Sequence, residues 1–156
     1  MSWYRDLDLK KLDGSPVGDA LAGKVLLVVN VASYCGYTPQ YEGLVALHHE
    51  LEGGAFAVVG VPCNQFGAQE PGTADDIATF CTTRYAVDFP LLEKQEVNGP
   101  DRSSLYRHLV GDGADLRWNF EKFVVDKDGR VRARFGSRTR PEDGALRTAI
   151  VEALGG

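Results

Sequence analysis

The segment Lys24-Val25-Leu26-Leu27-Val28-Val29-Asn30-Val31-Ala32-Ser33-Tyr34-Cys35-Gly36-Tyr37-Thr38 decides the architecture of this chain. Its apolar run from Val25 to Val31 is short, β-branched and nearly uninterrupted, the pattern of a strand buried on both faces. The residues that follow, 39–52, read as a helix stopped by Gly53-Gly54. Cys35 therefore falls in a strand-to-helix turn. A thiol there meets unpaired backbone N–H groups and the positive end of a helix dipole. Both stabilise a thiolate, the reactive form of cysteine. A buried structural cysteine is the competing reading.

Working outward, residues 1–23 read as a hairpin or extended arm turning at Asp13-Gly14-Ser15-Pro16. Ala55 to Val61 is a second buried strand. Pro62 to Gly72 is a polar loop punctuated by Gly and Pro. Thr73 is a good N-cap for a helix running to about Arg84, with Asp75 and Asp76 in its first turn. Asp101 to Val110 is expected to be helical. Phe120 to Val125 and Arg130 to Phe135 flank Asp126-Lys127-Asp128-Gly129, a hairpin signal. Pro141 to Leu154 reads as a final helix.

A parallel βαβ start followed by an antiparallel ββα finish is the thioredoxin-like order. The fold class is therefore α/β, a central mixed sheet flanked by helices with an N-terminal hairpin extension, in one domain spanning 1–156. The right-handed crossover puts the ends of the first two strands side by side. Cys35 and the loop from Pro62 to Gly72 then share the sheet edge where sites in open α/β folds tend to lie.

Lys and Arg number 17 against 22 Asp and Glu, a net charge of −5, which argues against binding nucleic acid or an anionic membrane surface. No stretch is apolar enough to span a bilayer, and the first eight residues do not resemble a signal peptide, so the expected compartment is the cytoplasm. Cysteines at 35, 63 and 81 are an odd number, unlike a secreted disulfide framework, and suit redox chemistry or burial. The adjacent His48 and His49 face differently on a helix, and no Cys/His spacing matches a zinc site, so neither a metal nor another cofactor is implied.

Three residues after Cys35 stands Thr38, not a second cysteine, so the chemistry begins at a single thiol. The loop Pro62-Cys63-Asn64-Gln65-Phe66-Gly67-Ala68-Gln69-Glu70-Pro71 is dense in amides, which can stabilise an anion in the manner of an oxyanion hole. Asn64 and Gln65 read better as partners of loop backbone, whereas Gln69 is freer to point across. Trp118 carries one N–H donor, and Asn119 beside it offers an amide; core packing is the other reading of Trp118.

Three ordered stretches, Asn30 to Gly36, Pro62 to Pro71 and Trp118-Asn119-Phe120-Glu121-Lys122-Phe123, resemble the glutathione peroxidase family over nearly the whole chain. The resemblance implies a thioredoxin-like fold and a hydroperoxide-reducing enzyme. It implies that Cys35 is the peroxidatic residue and that Gln69, Trp118 and Asn119 complete a catalytic tetrad. Cysteine stands where some animal relatives carry selenocysteine. The segment from Gly111 to Arg117 is shorter than in tetrameric relatives, so a monomer is expected.

A sulfenic acid on Cys35 needs a second thiol. By the same resemblance Cys81 is the resolving cysteine, and thioredoxin is the expected reductant of the resulting disulfide. Cys63 reads as structural. Thr79, Thr82 and Thr83 weaken the helix that carries Cys81, which is expected to lie far from Cys35 and to unwind. Glutathione use in the family's animal members relies on basic residues near the site; Arg84, Lys94, Lys122 and Arg138 are present here, but the sequence does not place them around Cys35, so thioredoxin is expected to outperform glutathione. The remaining alternatives are a peroxide sensor that passes its disulfide to a client protein and a non-catalytic thioredoxin-like metal carrier.

Overall fold

The computed structural model describes residues 2–51 and 53–155. Met1 and Gly156, the ends of the expected domain, and Glu52, the last residue of the expected first helix, lie outside the described residues. The strands are β1 (Val25–Val31), β2 (Phe56–Pro62), β3 (Lys122–Val125) and β4 (Val131–Phe135). The helices are α1 (Gln40–Leu51), α2 (Ala74–Tyr85), α3 (Ser104–Val110) and α4 (Gly144–Gly155).

The sheet order is β2-β1-β3-β4. β1 runs parallel to β2 and antiparallel to β3, which pairs antiparallel with β4. This is the mixed sheet anticipated from the element order. Every residue of β1 and β2 is buried, because apolar clusters cover both faces. Leu26 and Val28 face Leu105, Tyr106 and Leu109 of α3, while Leu27 and Val29 face Tyr41, Leu44 and Leu47 of α1 together with Leu146 and Ile150 of α4. Each such aliphatic side chain contributes roughly 1.5–3 kcal/mol on burial.

Several boundaries differ from the sequence reading for local reasons. The N-terminal arm holds one 3-10 turn, Arg5–Leu7, and single antiparallel bridges from Lys10 to Pro16 and from Lys11 to Leu92. Its turn is held by Asp13, whose carboxylate accepts from the Ser15 amide. α3 begins at Ser104 because the Ser103 hydroxyl accepts from the Tyr106 amide. α4 begins at Gly144 rather than Pro141, where the Asp143 carboxylate accepts from the Ala145 amide. Among the described residues, no helix is long and apolar enough to cross a membrane.

Candidate active site

Cys35 sits in a turn held at several points. The Thr38 hydroxyl accepts from the Cys35 amide at 2.9 Å and donates to the Ala32 carbonyl at 2.8 Å. The Thr38 amide donates to the Cys35 carbonyl. These bonds close the turn just ahead of α1 and leave the Tyr37 amide 3.3 Å from Cys35 Sγ, donating to it. Cys35 is buried, while the neighbouring Tyr34 is 68 % exposed.

Two further bonds tie the turn to the loop after β2. The Glu70 carboxylate accepts from both the amide and the hydroxyl of Ser33, at 3.1 and 2.5 Å. The Tyr34 amide donates to the Gln69 carbonyl at 3.1 Å. Glu70 is fully buried, and burial raises its pKa against the opposing effect of the Ser33 bonds. Its Oε2 has no hydrogen-bond partner.

Gln69 and Asn119 are brought together across 50 residues of sequence. Asn119 Nδ2 donates to Gln69 Oε1 at 3.0 Å. With Oε1 engaged, the end of Gln69 left for a reactant is its Nε2 donor. Asn119 is itself fixed by the Ser137 hydroxyl, which donates to its carbonyl, while its own Oδ1 is buried without a partner.

Trp118 packs its ring against Phe66, with centroids 5.8 Å apart, and lines a cavity of about 780 Å3 with Tyr37, Arg117, Arg134, Phe135 and Arg138. Gly67 has a φ of +70°, and a Cβ there would stand 3.1 Å from Trp118 Cη2. Glycine is thus required by backbone and by space.

The backbone departs from common conformations on both sides of the site. Ala68 and Phe120 have φ of +51° and +65°. Such residues persist where the surroundings over-determine them. At Phe120 the cause is Asn30, whose Oδ1 accepts from the Glu121 amide and whose Nδ2 donates to the Trp118 carbonyl. The same kink starts β3 at Lys122 instead of the expected Phe120.

The three cysteines are free and buried. Cys81 lies on α2 and donates to the Tyr41 hydroxyl at 3.4 Å. Burial pushes its thiol up to about 11. Cys63 donates to Gln65 Oε1, and burial raises its pKa too. Asn64 and Gln65 serve backbone, as their loop position suggests: Asn64 accepts from the Glu70 amide, and Gln65 from the Val97 and Asn98 amides.

Of the basic residues considered for glutathione, only Arg138 lines the cavity beside Trp118. Arg84 stands over the Phe80 ring, Lys94 donates to the Gly72 carbonyl, and Lys122 is fully buried. Lys122 is therefore out of reach of a soluble anion. Sequence reading also missed Asn30, Ser33, Glu70 and Tyr41. Asn30 gave a signal, as the one polar residue within an apolar strand. Glu70 gave none, because nothing local marks an exposed-looking loop carboxylate as buried.

The family model for glutathione peroxidase matches residues 4–110. The hydroperoxy fatty acid reductase Gpx2 of Synechocystis is 57% identical over 94% of this chain and 96% of its own length. The glutathione peroxidase-like peroxiredoxin 2 of Saccharomyces cerevisiae is 46% identical over 88% of this chain and 90% of its own. Among solved structures, T. cruzi GPX1 superposes with a TM-score of 0.76 at 32% identity, covering 100% of this chain and 98% of that one. A thioredoxin-family protein of Chlorobium tepidum, at 21% identity and a TM-score of 0.70 over 94% and 91% of the two chains, shares the fold. The chain belongs to the glutathione peroxidase family, with a thioredoxin-like fold, and is a cysteine-based peroxidase.

Proposed function

We propose that Cys35 is the peroxidatic residue of one peroxidase domain spanning the chain, with Gln69, Trp118 and Asn119 as its partners. The observation that carries this reading is the Tyr37 amide aimed at Cys35 Sγ in a turn stapled to the loop that bears Gln69, which Asn119 holds from the segment before β3. The Cys35 thiolate attacks one peroxide oxygen, the O–O bond breaks, and the sulfur becomes a sulfenic acid while alkoxide or hydroxide leaves and takes up a proton. Gln69 Nε2 and the Trp118 indole are the donors suited to the charge that develops on the leaving oxygen. Asn119 orients Gln69.

Cys81 then loses its thiol proton, bonds to Cys35 sulfur and displaces hydroxide, giving a disulfide and water. A thioredoxin dithiol reduces that disulfide by exchange. The cavity beside Trp118 combines aromatic walls with Arg117 and Arg138, Arg134 there being paired with Glu121, which supports hydroperoxides bearing both an acyl chain and a carboxylate alongside hydrogen peroxide. The Synechocystis relative's name points the same way. The odd number of cysteines suits the cytoplasm, and the short 111–117 segment suits a monomer.

The test is NADPH consumption with thioredoxin, thioredoxin reductase and a hydroperoxide. Turnover with thioredoxin that exceeds turnover with millimolar glutathione, and that is lost in Cys35→Ser, is the expected result. Turnover retained in Cys35→Ser sinks the assignment.

A further inference from the structure

Lys122 is a buried amine that the mechanism above leaves unused. It lies on β3 between Val29 of β1 and Phe135 of β4, with none of its surface exposed. It shares a face with Val124, toward α1 and α4. Taking an ammonium out of water is costly, and an apolar side chain of similar length would fill the slot without that cost.

Among the described residues it makes one hydrogen bond, to a carbonyl that matters. Lys122 Nζ donates to the Ser137 carbonyl at 3.2 Å, and Gln40 Nε2 donates to the same oxygen at 2.8 Å. Gln40 opens α1, directly after the Cys35 turn. The Ser137 hydroxyl reaches the other way, donating to the Asn119 carbonyl at 2.5 Å. Ser137 thus joins the helix behind Cys35 to the residue that orients Gln69, and Lys122 is the strand-borne side chain that pins it.

The geometry points to Lys122 as a positioning residue for the oxidation of Cys35: with Gln40 it fixes the Ser137 carbonyl, and through Ser137 it fixes Asn119. This rests on the reading that Asn119 serves Cys35. Burial lowers the Lys122 pKa to about 7 even with Glu121 and Glu142 acting to raise it.

The experiment compares Lys122→Met, Lys122→Gln, Ser137→Ala and the Lys122→Met/Ser137→Ala pair with the parent. Cys35 oxidation by hydrogen peroxide is read as the rate at which alkylatable thiol disappears, beside the thermal midpoint. Lys122→Met is expected to keep or gain thermal stability yet lose on the order of tenfold in oxidation rate, the scale of a small misplacement in an active site. Lys122→Gln keeps a donor and is expected to recover most of that loss. The pair is expected to lose no more than either single change, as for residues acting through one network.

Parental rates in Lys122→Met, or losses that simply multiply, overturn the inference. Should Lys122→Met not fold, Ser137→Ala decides alone, and a parental rate there overturns it. Asn119→Ala separates the two readings. A parental rate in that variant removes the function given to Asn119, whereas a slow Asn119→Ala beside a fast Lys122→Met removes only the function given to Lys122.

Discussion

The two thiols assigned to peroxide chemistry live in opposite surroundings. Cys35 stands at a sheet edge, in a turn closed by Thr38, with an amide pointed at its sulfur and cavities on two sides of Tyr37. Cys81 is sealed between α2 and α1, its thiol given to Tyr41 and its pKa pushed up to about 11 by burial. We read Cys35 as the sulfur placed to react first. The other is held as a protonated thiol against Tyr41, and we expect it to act only after its helix moves. α2 suits that motion: Ile77 and Cys81 are its buried residues, whereas α1 buries Tyr41, Leu44 and Leu47. The capping box of Thr73 and Asp76 secures its start and leaves its second half to the threonines.

The sharpest way to break this contrast is to remove each sulfur. Cys35→Ser is expected to abolish peroxide reduction. Cys81→Ser is expected to consume one equivalent of peroxide per chain in forming the Cys35 sulfenic acid, then under excess peroxide a second in converting it to sulfinic acid, without cycling. Mass spectrometry of the oxidised protein checks both. Continued cycling of Cys81→Ser would transfer the resolving step to Cys63 or to an external thiol.

The next effect belongs to the amides. Gln69→Ala is expected to slow Cys35 oxidation by roughly 10²-fold, the scale for losing one pre-positioned donor. Asn119→Ala should cost nearly as much, and the double variant little more, because Asn119 Nδ2 holds Gln69 Oε1. Stopped-flow oxidation rates for the three proteins decide it. Independent losses would mean that Asn119 acts on the reactants directly.

A smaller effect sharpens the contrast from the side of α2. Thr82 and Thr83 are exposed, and each costs helix stability of roughly 0.5 kcal/mol relative to alanine. Replacing both by alanine is expected to hold α2 closed and slow disulfide formation about fivefold, while the first oxidation of Cys35 stays at the parental rate. Disulfide formation at the parental rate would show that the unwinding barrier lies elsewhere.

What could be read from the sequence follows the range of the forces involved. The β1 turn, the α2 cap and the Asp126–Gly129 hairpin are written in neighbouring residues, and each was readable. The pairing of Gln69 with Asn119 was readable only through three motifs taken together. The turn of the arm before β1 was readable too, and the antiparallel bridge from Lys10 to Pro16 closes it, whereas its bridge from Lys11 to Leu92 depends on a distant loop. The burial of Lys122 and Glu70 was not readable. A charged residue looks solvated in sequence, and only the packing of α1, α4 and the loop after β2 seals these two. The start of β3 was misplaced for the same reason, since Phe120 takes its positive φ from contacts with Asn30, some 90 residues earlier.

The smallest expected effect is one of pH, and it sets a buried base against a buried acid. Lys122 has a folded pKa of about 7 against an ordinary 10.5. Between those values the unfolded chain holds a proton that the folded chain has lost, so stability rises with pH from about 7 upward. Cys81 has a folded pKa of about 11 against an ordinary 9. Above pH 9 the folded chain keeps a proton that the unfolded chain loses, so this thiol lowers stability as pH rises, and Cys63, also raised by burial, adds to it. The thermal midpoint of the reduced protein is therefore expected to climb by about 3 °C between pH 7 and 9 and to level or fall beyond. Lys122→Met should flatten the first limb, and Cys81→Ser should soften the second. A midpoint that climbs as steeply in Lys122→Met as in the parent would mean that the amine is solvated in the folded protein, and the buried clamp on Ser137 would go with it.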